Sequence, residues 1–201
     1  MRGDATLKGV RVVGASGACV TGRQLDLPLD FDSLKKIGAM IGSGGLVVTD
    51  EGTCMVELAR FFMNFTQNES CGKCVPGREG TRLMLEILER IVAGQGQEGD
   101  IDLLLELADT FTATSLCGLG KSAANPVVST IKGFRDEYEA HIRDKRCPAG
   151  TCQQLKQHAI DAAKCKGCPP FATGFPAAAI SAKITTPSLI HSPACLPRRP
   201  P

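Results

Sequence analysis

Ten cysteines stand among 201 residues, and the spacing of several of them bears on chemistry. Cys71 and Cys74 lie in the stretch Glu69-Ser-Cys-Gly-Lys-Cys-Val-Pro-Gly-Arg-Glu-Gly-Thr81, a tight Gly/Pro loop between two helical patterns. A third thiol, Cys117, returns after a helical hairpin in Ser-Leu-Cys-Gly-Leu-Gly. Thiolates in a C-x-x-C loop can grip one metal centre, and a distant Cys can close the cage. The alternatives are a pair of helix-capping thiols or a redox CxxC. Metal or cluster ligation is the stronger reading, because helices flank the first loop and Cys117 sits in a second Gly-rich one.

The rest of the chain must position these loops. Residues 5–49 read as strand, Gly-rich turns, then strand, with Lys8 to Val13 and Leu46-Val-Val48 as the strands. Asp30 or Asp32 can cap a short helix. Gly42-Ser-Gly-Gly45 is only a weak phosphate-loop signal, because a strand follows it and no helix opens there. Four amphipathic helices are then expected. The first buries Met55, Leu58, Ala59, Phe62 and Phe65, with Asp50 or Thr53 near its start. The second buries Leu83, Met84, Ile87, Leu88 and Ile91 and stops at Gly94-Gln-Gly96. Asp100 caps the third, whose apolar set is Ile101, Leu104, Leu105, Ala108 and Phe111. Asn125-Pro126 opens the fourth, with Val127, Ile131, Phe134 and Tyr138 on its face. Short loops between such helices imply an antiparallel bundle with the Cys loops together at one end.

Composition narrows the function classes. A net charge of +2 gives no electrostatic case for nucleic acid or a membrane surface. No apolar run approaches the ~20 residues that span a bilayer. Met1-Arg-Gly-Asp4 is not followed by a signal-peptide core, so a cytoplasmic location with reduced thiols is expected, and metal binding outranks disulfides. No acid/base pair or nucleophile–base set is visible, so no chemistry beyond electron passage is expected.

The block Gly42 to His141 resembles the iron–sulfur part of the NADH-binding flavoprotein subunit of respiratory complex I. It is most similar to the branch found in NAD-dependent, bifurcating hydrogenases and formate dehydrogenases. The match is carried by Glu-Ser-Cys-Gly-Lys-Cys74, Pro76, Arg78-Glu-Gly-Thr81, Leu116-Cys-Gly118 and Ile131-Lys-Gly-Phe-Arg-Asp-Glu-Tyr138. The resemblance implies an α+β protein: the tail of a β-grasp domain and its link (1–49), a four-helix iron–sulfur bundle (50–143), a Cys-containing linker (144–157) and a truncated ferredoxin-like segment (158–201). Family ligands to a 4Fe–4S cluster map onto Cys71, Cys74, position 77 and Cys117. Position 77 is glycine here, so a 4Fe–4S or 3Fe–4S cluster on three thiolates is implied. Arg78 and backbone N–H groups near Gly72 and Gly118 would tune it. In the hydrogenase branch a nearby His and thiols can hold structural zinc, which suggests Cys54, His141, Cys147 and Cys152. An ordinary linker with reduced thiols is the equal alternative.

The last segment resembles a two-cluster bacterial ferredoxin that has lost ligands. Cys165, Cys168 and Cys195 remain, while Phe171, Phe175, Arg198 and Pro201 stand at other ligand positions. His158 and His191 read as surface residues. FMN and NADH would sit on a domain upstream of these residues, so the chain reads as a C-terminal part of a larger subunit. Its partners would be other subunits of an NADH-dependent oxidoreductase or hydrogenase complex. The expected function is electron transfer from flavin into a cluster chain, with no activity alone. A structural or subunit-interaction module, with or without zinc, is the rival, and a non-functional remnant is a third reading.

Overall fold

A computed structural model of the chain describes residues 6–12, 17–36, 38–39 and 44–156. The expectations for the ferredoxin-like segment, including Cys165, Cys168 and Cys195, lie outside the described residues. Strand β1 (Leu7–Val12) is the centre of a three-stranded antiparallel sheet, flanked by β2 (Cys19–Thr21) and β3 (Leu46–Asp50). The short β2 goes beyond the two strands that sequence patterning suggests. A register shift between Leu7 and Gly9 makes a bulge at Lys8. Bulges re-aim side chains, and here Lys8 Nζ leaves the sheet for Glu137, 2.6 Å away, and donates to the Thr53 carbonyl. One small core, made by Val12, Ala18, Val20, Leu34 and Ala39, holds helix α1 (Phe31–Lys36) to the sheet. On the sheet's helical side, the buried Arg11 guanidinium lies over the Phe62 ring, 3.6 Å from its centroid. Burial lowers the Arg11 pKa to about 10.

The helical part follows: α2 (Met55–Asn68), α3 (Thr81–Val92), α4 (Asp100–Thr114), the short α5 (Gly118–Ser122) and α6 (Asn125–Ile142). The architecture is α+β, with the second and larger core between the long helices. The apolar face of α2 is rotated from the expected one. Met55, Val56, Ala59, Met63 and Thr66 are buried, while Phe65 is 47% exposed and Leu58 and Phe62 are only partly covered. Phe62 is instead used beneath Arg11. In α3 the expected set is buried except Leu83, which is exposed. The N-cap of α4 is Gly99 (φ 96°) and not Asp100 as expected; Asp100 is the first helical residue, accepts the Gln97 N–H and pairs with Arg90. Helix α6 kinks at Phe134, whose backbone leaves the helical region (φ −141°, ψ 42°). Gly133 beside it leaves room for β2, since a Cβ there would lie 2.7 Å from Thr21 Cγ2. Among the described residues no helix is long and apolar enough to cross a membrane.

Candidate metal centres

The first centre is built at the start of α2 and the end of α6. Cys54 is the N-cap of α2, and its Sγ accepts the Glu57 N–H. His141 lies in the last turn of α6, and Cys147 and Cys152 follow in the segment that folds back over the bundle. All four side chains are buried, and their ligand atoms lie within 4.8 Å of one another. His141 Nε2 is 3.4 Å from both Cys54 Sγ and Cys152 Sγ, and those two sulfurs are 3.7 Å apart. A tetrahedral ion with Zn–S and Zn–N bonds of ~2.3 and ~2.05 Å places such atoms ~3.5–3.8 Å apart. The separations therefore suit one mononuclear ion. They are too short for a cube of irons, which holds each thiolate on a separate metal atom.

Electrostatics at this centre already favours anionic sulfur. The Cys152 thiol donates to Cys54 and, with help from His141 and against burial, lowers the Cys54 pKa to about 4. The same donated hydrogen bond and burial push Cys152 up. Burial disfavours the charged form of His141, but the Cys54 thiolate outweighs it and raises the imidazole to about 9. Burial pushes the Cys147 thiol up, yet the net shift is downward because the N–H groups of Cys152 and Thr151 point at it. A cation would take over the role of the protons that now hold these sulfurs together. The Glu137 carbonyl lies 2.6 Å from His141 Nδ1 and can only accept, so Nδ1 carries the proton and Nε2 faces the sulfurs. The Glu137 carboxylate meanwhile accepts the Met55 N–H at the start of α2 and pairs with Lys8. Sequence reasoning does not single out Glu137. Its one signal is its place one turn before His141 on the same helix.

The second centre joins the two Gly-rich loops. Cys71 and Cys117 are exposed and Cys74 is half-buried. All three line one cavity of about 90 Å³, together with Ser70, Gly77 and Thr81. What sequence patterning reads as a Gly/Pro loop is in part a π-helical turn, Pro76–Gly80, closed by the Thr81 N–H to the Pro76 carbonyl. Such turns are uncommon and collect at functional sites. Gly80 lets the turn lie against α4: a Cβ there would sit 2.2 Å from the Phe111 ring. Cys117 is the N-cap of α5, its Sγ accepting the Gly120 N–H. The two loops meet at Cys74, whose pKa is lowered by the N–H of Leu116 and then by that of Gly77. Leu116 lies two residues before Gly118, and the Arg78 charge lowers the Cys74 pKa as well. Arg78, the other expected tuner, donates to the Gly72 carbonyl and pairs with Glu79.

Position 77 faces the thiols. A Cβ on Gly77 would lie 3.2 Å from Cys74 Sγ and 3.4 Å from Ser70 Oγ. The donor set thus fits a cluster held by three thiolates, with a bare wall where a fourth would stand.

Residues 57–141 match the NADH-ubiquinone oxidoreductase-F iron–sulfur binding region. The NADP-reducing hydrogenase subunit HndC of Solidesulfovibrio fructosivorans is 47% identical over 161 residues, which is 80% of this chain and 33% of that protein. A subunit of the NADH-quinone oxidoreductase of Mycobacterium tuberculosis is 45% identical over 135 residues, 67% of this chain and 30% of that one. A crystal structure of an NAD+-reducing NiFe-hydrogenase is similar with a TM-score of 0.63 and 34% identity, covering 69% of this chain and 24% of that one. The chain spans about a third of the length of the curated relatives it matches. Over residues 57–141 the chain is similar to the NADH-ubiquinone oxidoreductase-F iron–sulfur binding region.

Proposed function

We propose that this chain is an electron-transfer module whose cluster is held by Cys71, Cys74 and Cys117. The observation that carries the reading is the cavity that these three thiols share, with the backbone of Gly77 in its wall. A bound iron–sulfur cluster supplies one-electron redox chemistry. The residues of the chain do the rest. The Leu116 and Gly77 amides favour the thiolate of Cys74. The Gly120 amide donates to Cys117 Sγ and holds that side chain at the start of α5. The π-turn and the cap of α5 fix both loops on rigid helices, so the distance to a redox partner is set by the bundle. The relatives are named as subunits of NADH-quinone oxidoreductase and of a hydrogenase. By that likeness the electrons come from a flavin reduced by a nicotinamide nucleotide, and the partners are the other subunits of such a complex.

The Cys54, His141, Cys147 and Cys152 centre serves a different purpose in this reading. Four buried protein donors leave no open position, which is the arrangement of structural zinc rather than catalytic zinc. The complete donor set at this site also favours the rival reading, a zinc-stabilised interaction module. One experiment separates the two. Cys117→Ala and, separately, Cys165→Ser with Cys168→Ser are reconstituted anaerobically with iron and sulfide, and low-temperature EPR is recorded oxidised and reduced. The first change abolishes the signal and the second leaves it. A signal that follows Cys165 and Cys168, or no cluster in the unaltered chain, favours the interaction module.

A further inference from the structure

Gly77 leaves one corner of the cluster cavity without a thiolate, and the structure puts an oxygen donor beside that corner. We propose that Ser70 Oγ is the fourth ligand of the cluster held by Cys71, Cys74 and Cys117, an inference that rests on the cluster reading above. Ser70 lines the same cavity as the three thiols. Its Oγ lies 3.4 Å from the position a Cβ would take on Gly77, and Cys74 Sγ lies 3.2 Å from the same point. The hydroxyl therefore borders the space that a cysteine side chain at position 77 would enter.

The present bonding of Ser70 leaves it free to turn. Its Oγ donates to the Gly77 carbonyl at 2.5 Å, and that carbonyl also accepts from Thr81 Oγ1 at 2.9 Å. Rotation of Ser70 toward the cavity strands no buried acceptor, which is where the cost of breaking such a bond would fall. The Gly72 N–H points at Ser70 Oγ from 3.4 Å, a donor that supports negative charge on the oxygen. The other hydroxyls of the cavity wall are committed to helix carbonyls: Thr66 to Phe62 and Thr81 to Gly77. Glu69 is the remaining oxygen donor in the wall and is the competitor to be tested.

Ligation forms one Fe–O bond and breaks the O–H bond of Ser70, with the proton passing to solvent. No electron moves, and the ligand carries the single negative charge that the absent thiolate would have carried. An oxygen is a harder ligand than sulfur, so this iron is chemically distinct from the other three.

The test uses the full chain, reconstituted anaerobically and then freed of small thiols. Ser70→Ala loses about one iron in four and gives the oxidised-state EPR signal of a three-iron cluster. Ser70→Cys and Ser70→Thr keep the iron, and so does Glu69→Gln. The unaltered protein gives a readout that no substitution can confound: in water enriched in a magnetic oxygen isotope, the reduced cluster shows no oxygen coupling to exchanged solvent. Full iron in Ser70→Ala, loss in Glu69→Gln instead, or strong coupling to labelled water each overturns the proposal. A cluster that survives Cys117→Ala marks failure of the parent reading, which fails separately and takes this one with it.

Discussion

Gly77 is the single position at which the chain departs from three-plus-one thiolate ligation in the bundle. The backbone there already has the geometry a ligand would need. It is buried, it faces Cys74, and an added Cβ would meet only side-chain atoms at 3.2 and 3.4 Å. Those contacts are tight but involve the far ends of Cys74 and Ser70, which can give by a few tenths of an ångström. Gly77→Cys is therefore expected to fold and to bind its cluster more firmly, seen as slower loss of iron to a chelator after reconstitution. Equal loss rates in the two forms would show that the fourth corner is already as well held as a thiolate would hold it. At this scale the C-x-x-C spacing, the return of Cys117 and the set of Cys54, His141, Cys147 and Cys152 are legible in the sequence. The family resemblance is needed to join them. Ser70 and Glu137 are not legible. Their roles depend on where a hydroxyl and a carbonyl point, and neither leaves a periodic or spacing signal.

The elements carry the next layer. Both centres use a cysteine as a helix N-cap, Cys54 on α2 and Cys117 on α5, and each sulfur accepts an otherwise unsatisfied amide of the first turn. A sequence search for caps looks first for Asp, Ser and Thr, which draws attention to Asp50 and Thr53 near the start of α2. The α2 face misleads for a related reason. Helical spacing is equally compatible with Phe62 and Phe65 inside, and only the arrival of Arg11 from the sheet settles what Phe62 packs against. The π-turn is likewise hidden, because Pro and Gly there signal only a break. Its packing can be tested. Gly80→Ala places a methyl 2.2 Å from Phe111 Cε1 and 2.7 Å from Cζ, in the wall between the turn and α4. Overpacking of this kind costs about 1–3 kcal/mol. The expected outcome is a lower urea midpoint with unchanged slope, together with weaker cluster retention because the 71–81 loop is displaced. Unchanged retention at lowered stability would mean that the turn is not what shapes the cluster site.

Across the whole molecule the two centres lie at opposite ends of α2. Cys54 precedes this 14-residue helix and Cys71 follows it, so a rise of 1.5 Å per residue separates them by ~21 Å. That separation divides the labour: one end has exposed thiols, and the other is a buried set of four donors. The buried centre ties the start of α2 to the end of α6 and to the segment 143–155. Besides the centre, that segment is held by Lys145, which donates to the Gly96 carbonyl, by Arg143, which pairs with Glu98 and Glu139, and by Leu155, which packs beside Gly94. Through Glu137 the centre also reaches the sheet, since one residue offers its carbonyl to His141 and its carboxylate to Lys8 and the Met55 N–H. Metal removal should therefore loosen one end of the molecule and spare the other. In hydrogen exchange on the zinc-loaded chain, a chelator, or His141→Ala, is expected to speed exchange at least tenfold in 143–155 and in the first turn of α2. A tenfold change corresponds to ~1.4 kcal/mol of lost local protection. A smaller rise is expected in β1 near Lys8, and little change in 81–92, which the central core holds. Uniform acceleration would mean that the metal supports the whole bundle at once. No acceleration would mean that the four donors meet by packing alone and need no ion to stay together.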